Sequence, residues 1–190
     1  MEASDLVTVF DHCFAVDGAC AVDRARLVRG GDEPLFLPAG PGRTVAEVVY
    51  ARGFAASCLH EAAHWLVAGP SRRMLVDYGY WYLPDGRDAA AQRRFEHHET
   101  PVQAMEWILC QAAGRPFVIS CDNLDDPTPT PAFARAIGGE AERLLRSGLP
   151  ERAARLCLAL GRASGSPLPE PDSALPALLA CAPGAMTVRA

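Results

Sequence analysis

Phe54-Ala55-Ala56-Ser57-Cys58-Leu59-His60-Glu61-Ala62-Ala63-His64-Trp65-Leu66-Val67-Ala68 is the stretch that decides how this chain folds. Its polar residues are Ser57, His60, Glu61 and His64. They fall at i, i+3, i+4 and i+7, a single stripe on a helix of 3.6 residues per turn. A helix lying on a protein surface carries about half its residues polar. This one is apolar on nearly every side, so the spacing predicts a buried helix with two histidines and a carboxylate facing inward. Buried without partners, those groups would cost several kcal/mol, roughly 2–7 for each, and a metal ion removes that cost. Gly69-Pro70 ends the helix.

Within the stretch, His60-Glu61-Ala62-Ala63-His64 is an H-E-x-x-H sequence. Residues four apart stand one turn above each other, so both imidazoles can reach one ion. Glu61 is offset by one residue; it can hold a proton or orient water, or orient a ligating histidine from behind. The residues after His64 are Trp65-Leu66-Val67-Ala68-Gly69-Pro70, with no third histidine, which excludes a metzincin. The third ligand must come from Asp77, Glu96, His97, His98, Glu99 or Asp122. A carboxylate would complete a two-histidine, one-carboxylate set that leaves positions open on non-haem Fe(II). The same set suits a zinc-dependent hydrolase, protease-like or nuclease-like, with Glu61 as general base. Ligand type leaves both chemistries open.

Working outward, residues 4–16 have helical spacing, with Ser4 and Asp5 as caps. Leu35-Phe36-Leu37 reads as a short strand, and Val48-Val49-Tyr50 as a strand or short helix. The aromatic run over 75–83, with Tyr78, Tyr80, Trp81 and Tyr82, predicts a strand closed by Pro84-Asp85-Gly86. Residues 88–98 predict one helix; Thr100 as N-cap, Pro101 at the first position and Gln103 as its capping-box partner predict a second, running to Gly114. Phe117-Val118-Ile119 is a further strand candidate, and helices are expected over 132–147 and 151–163. The fold class expected is α+β, one compact helix-rich domain with a small sheet, spanning 1–163. A Pro/Gly/Ser-rich tail over 164–190 is expected to be loosely ordered.

The 190 residues are 49% hydrophobic and 22% charged, the balance of a globular domain. No apolar run reaches the roughly 18 residues of a membrane helix, and the acidic, mixed N-terminus is unlike a signal peptide. A soluble cytoplasmic protein with no membrane partner is expected. The net charge of −5 argues against a broad phosphate-binding surface, so no direct nucleic-acid partner is expected. All 18 basic residues are arginine, in keeping with a GC-rich coding bias. The seven cysteines contain no C-x-x-C pair and are irregularly spaced, so reduced, buried thiols are expected rather than disulfides or a cysteine-zinc site.

Several blocks, in order and spacing, resemble the elongation factor P hydroxylases: Asp32-Glu33-Pro34, Gly53-Phe54, His60 to Trp65, Val76 to Tyr82, Pro84 to Asp88, Phe95-Glu96-x-x-Glu99 and Ser120 to Leu124. The resemblance covers about residues 5–160. It implies a compact α+β fold like that of a bacterial metal-dependent endoribonuclease family. It also implies an Fe(II)-dependent monooxygenase, with dioxygen as co-substrate, acting on the β-lysylated lysine of elongation factor P. The ligand set it implies is His60, His64 and a glutamate of the Phe95–Glu99 block.

A substrate with a long amine-bearing side chain calls for carboxylates and apolar walls. Candidates are Asp77, Asp85, Asp88 and Asp122 for the first, and Tyr78, Tyr80, Trp81 and Tyr82 for the second. Between the two glutamates, Glu99 is expected to be the ligand, because a helix starting at Pro101 would hold it rigid and its N-terminus would keep it ionised. Glu96, one turn earlier, is then expected to accept a hydrogen bond from a ligating histidine. His98 and Asp77 are the alternatives.

Overall fold

The computed structural model describes residues 1–15, 23–79, 88–121 and 128–180. Its elements are α1 (Ala3–Phe14), β1 (Ala25–Arg29), β2 (Leu35–Leu37), β3 (Ala46–Tyr50), α2 (Ala55–Val67), α3 (Ala89–Ala112), α4 (Pro131–Ser147), α5 (Glu151–Ser164) and α6 (Pro171–Ala180). The α+β, helix-rich character with a small sheet is as expected. β3 is the central strand, parallel to β1 (Leu27 beside Val48) and antiparallel to β2 (Phe36 beside Val48). Alternate residues Ala46, Val48 and Tyr50 are buried, the period-2 signature of a half-covered strand. β1 was not foreseen from the sequence, because two of its five residues, Arg26 and Arg29, are arginines.

The turn after β3 aims α2. Arg52 and Gly53 both take positive φ, reversing the chain in two residues, and the Ser57 hydroxyl accepts the Ala51 N–H at 2.9 Å. α2 is buried along almost its whole length, as its composition predicts. Trp65 packs edge-on against Phe10 and Phe14 of α1 at 5.4 and 4.7 Å between ring centres. Arg152 of α5 lies over the same indole at 4.4 Å and donates to the carbonyls of Leu66 and Ala68. It thereby satisfies acceptors that the helix end leaves open. α1 itself is capped two residues earlier than Ser4: Glu2 is its N-cap, and Asp5 accepts the Glu2 N–H at 2.8 Å.

α3 departs most from expectation. The two helices expected on either side of Thr100 are one helix of 24 residues, capped by Asp88, which accepts the N–H groups of Ala90 and Ala91. Pro101 lies in its interior. Thr100 is no cap: its hydroxyl donates to the Glu96 carbonyl one turn back, at 2.7 Å. A proline here removes one helical hydrogen bond and crowds the carbonyl four residues before it. Packing outweighs that cost, since the following stretch is almost fully buried, with Ala104, Met105, Ile108 and Leu109 at its centre. The strand expected over 117–119 does not form; the Gln103 amide instead grips Ser120, donating to its carbonyl at 2.7 Å and accepting its N–H at 3.1 Å.

The strand expected from residue 75 is also absent over its described part. Asp77, Tyr78 and Gly79 all have positive φ, a left-handed turn. Asp77 accepts the Phe36 N–H of β2 at 2.7 Å, and Tyr78 stacks on Phe36 at 4.2 Å. Further on, α4 and α5 form where expected. Residues 171–180, expected within a loosely ordered tail, form α6, which buries Ala174 and Leu178 completely. α6 packs on α4 through Gly138, where a Cβ would stand 3.0 Å from the Leu175 Cα. Cys13, Cys58, Cys110, Cys121 and Cys157 are buried free thiols.

Candidate metal centre

α2 and α3 lie against each other with their polar stripes face to face. From α2 come His60 and His64, whose Nε2 atoms stand 3.1 Å apart. From α3 comes Glu99, with one carboxylate oxygen 3.5 Å from His64 Nε2 and the other 3.8 Å from His60 Nε2. These three ligand atoms lie within 4.8 Å of one another. Donors that share one ion at about 2.0–2.1 Å are about 3.0–3.4 Å apart, so a modest contraction of the Glu99 contacts fits the set to a cation. Two unprotonated imidazole nitrogens facing each other at this distance also need a proton or a cation between them.

The surroundings favour a cation. Glu99 is 2% exposed, Glu106 7% and Glu61 9%, so three carboxylates crowd two imidazoles away from water. Burial would push His60 down, but Glu106, Glu99 and Glu61 outweigh it and raise this imidazole to about 10. Burial, joined by the charge of His60, holds His64 well below its usual range, which keeps its lone pair available. Burial raises Glu61 to about 7, opposed by His60 and assisted by Glu99, Glu106 and Asp77. A divalent cation would offset this concentration of negative charge. The donor set fits a transition metal of the Fe(II) or Zn(II) kind.

Around the three donors stands a set of supports. Glu106 accepts the His60 Nδ1–H at 2.8 Å, which sets the tautomer that leaves the Nε2 lone pair facing His64 and Glu99. Gln103 donates to Glu99 at 3.3 Å while holding Ser120. Neither Glu106 nor the Gln103 contact was foreseen. The signal was present: Glu99, Gln103 and Glu106 fall at i, i+4 and i+7, a second inward polar stripe that the expected break at Thr100 concealed. Glu96 was expected to accept a hydrogen bond from a ligating histidine; Glu106 does so instead, from His60.

Other candidates are placed as follows. The rigidity expected for Glu99 from a helix N-terminus has a different origin, since Glu99 lies mid-helix and is clamped by Gln103. Asp77 spends one oxygen on the Phe36 N–H and is not among the three clustered donors. Glu96 lies outside the cluster; His97 and His98 are exposed on the same helix, their rings 5.7 Å apart. Tyr78 lies parallel to the His64 ring at 6.2 Å and so walls the site. Asp88 is an exposed helix cap. Tyr80, Trp81, Tyr82, Asp85 and Asp122 lie outside the described residues.

Fold and site together define a helix-rich α+β protein with a buried histidine–carboxylate centre suited to metal-dependent chemistry. Residues 9–172 match the family described as elongation factor P hydroxylase, and the chain belongs to that family. It is similar to the elongation factor P lysine hydroxylase of Haemophilus influenzae, at 46% identity over 157 residues, covering 82% of this chain and 85% of the relative. The match runs past residue 164 to the start of α6, beyond the span that the sequence blocks cover. Neither comparison supports the zinc-hydrolase alternative. Among the described residues no helix is long and apolar enough to cross a membrane.

Proposed function

We propose that this protein is a non-haem Fe(II) hydroxylase that adds one oxygen atom, from dioxygen, to the lysine of elongation factor P after that lysine has been β-lysylated. The observation that carries this reading is the His60–His64–Glu99 cluster in a chain of the hydroxylase family. Held there, iron would supply the oxidising chemistry that an unactivated C–H requires, with a two-electron reductant completing the balance. Two imidazole Nε2 atoms and the Glu99 carboxylate are the protein's ligands. Glu106 keeps the proton on His60 Nδ1, and Gln103 restrains the Glu99 carboxylate. Glu61, raised by burial to about 7, is able to hold or release a proton beside the reacting groups without itself binding the ion. Tyr78 shields one side of His64 from water.

The test is anaerobic purification with metal analysis, followed by intact-mass measurement of β-lysylated elongation factor P after incubation with air and reductant. A gain of one oxygen atom and stoichiometric iron are expected, and His60→Ala and His64→Ala should each lose both. Bound zinc with no change in mass would refute the proposal.

A further inference from the structure

Beside the metal centre, α2, α3 and α4 enclose a groove of about 710 Å³, within the usual range for ligand sites of about 300–1,000 Å³. His64 of the cluster is among its lining residues, together with the apolar Val67 and Ala68 at the end of α2. Across it stand His97 and Pro101 of α3 and Glu140 of α4. Pro101 has no N–H, so the His97 carbonyl four residues earlier lacks its ordinary helical donor. His97 and Pro101 thus stand on the same stretch of α3 that borders the groove. Glu140 is paired with Arg143, whose Nε and terminal N–H donate at 2.7 and 2.6 Å. Arg143 is 60% exposed, and such pairs are weak enough to be shared with or displaced by another cation. Arg72 also borders the groove, but its guanidinium donates to the Tyr78 carbonyl at 3.1 Å.

We propose that this groove receives the amine-bearing end of the substrate's extended lysine, with the Glu140 carboxylate and the His97 carbonyl as acceptors for an ammonium. This rests on the hydroxylase reading above. A primary ammonium has three donors and no acceptor, and a groove with an apolar floor and acceptors on two facing walls suits a methylene chain ending in such a group. Selection for the β-lysylated over the unmodified lysine would then come from a site adjoining the ion rather than from its ligands. Pro101 becomes a positioning residue, acting through the carbonyl it leaves open.

The experiment uses the metal-loaded protein with elongation factor P in β-lysylated and unmodified forms, reading KM and kcat by intact mass and affinity by titration calorimetry. Glu140→Gln should raise KM and weaken binding of the modified factor about tenfold, the effect of one charge-assisted hydrogen bond at a wet site. Metal content and kcat should be unchanged. Pro101→Ala restores an N–H to the His97 carbonyl; it should raise KM severalfold while increasing the melting temperature, which separates lost recognition from lost folding. Glu142→Ala, two residues along α4 and not among the groove's lining residues, should match the unsubstituted protein. Unchanged KM and affinity in both Glu140→Gln and Pro101→Ala would overturn the proposal, as would loss of metal from Glu140→Gln. If the unsubstituted protein adds no oxygen, the hydroxylase reading fails, whereas the calorimetric comparison still decides the groove.

Discussion

Replacing Glu106 by alanine tests how the centre is tuned. The carboxylate accepts the His60 Nδ1–H at 2.8 Å from a position only 7% exposed. Without it the ring is free to turn and the tautomer is no longer set. Loss of such a partner costs about 10–100-fold in metal affinity, or about 1.4–2.7 kcal/mol. In the metal-free protein a competing effect arises, because removing one partner of a buried ion pair costs about 3–5 kcal/mol when the other stays charged. His60 escapes most of this by shedding its proton, since burial alone lowers its pKa. What remains is an unsatisfied buried donor, about 1–3 kcal/mol. Glu106→Ala should therefore fold with a lower melting temperature and bind metal 10–100-fold more weakly in competition with a chromogenic chelator. Glu106→Gln keeps an acceptor and loses the charge, so it should fall between alanine and glutamate. Wild-type metal affinity in Glu106→Ala would refute the idea that this residue orients His60.

Two further outcomes follow from packing and pairing. Gly138→Ala should destabilise the protein by about 1–3 kcal/mol, because the new Cβ meets Leu175 of α6. Gly139→Ala, with nothing within 4 Å, should stabilise α4 by up to about 1 kcal/mol; paired melting curves check both, and equal effects would mean α6 is not docked there. Glu47 is held below its ordinary 4.5, first by the hydrogen bond from Arg26. Its folded pKa is the lower one, so its contribution is present above pH 4.5 and disappears as pH falls through the folded value. The urea midpoint of Glu47→Gln should lie below that of the unsubstituted protein at pH 7, by well under about 1 kcal/mol, and the gap should close in acid.

The helix that carries His60 and His64 was legible because its four polar residues lie on one stripe of an otherwise apolar stretch, a pattern that only a helix makes coherent. α4 and α5 were legible for a related reason: a Thr130-Pro131 start and a Gly148 break mark their ends locally. The misreadings share a physical cause, tertiary contacts overriding a local signal. Thr100-Pro101 is a strong start signal, yet Thr100 bonds backward and the burial of 102–110 carries the helix across. Phe117-Val118-Ile119 has strand composition, but no strand lies beside it among the described residues, and Gln103 meets the backbone needs of Ser120. β1 pairs with a strand that lies some twenty residues onward, and no local pattern encodes that partner. Glu99 was identified as a ligand candidate for a reason the fold does not supply. Glu106, whose spacing from Glu99 and Gln103 was readable, was lost to the expected helix boundary.

The left-handed turn at Asp77 and Tyr78 has φ values of 47° and 57° at residues that carry side chains, each costing about 1–2 kcal/mol. The Asp77 bond to Phe36 and the stacking of Tyr78 hold it in that shape. A chain selected for stability alone would place glycine at one of these positions and gain most of that energy. It would then lose either the carboxylate that anchors the turn to β2 or the ring beside His64. The residues kept here therefore mark a point where robustness has been traded for a fixed wall at the reaction site, and stabilising substitutions at 77 or 78 should be the ones that function tolerates least.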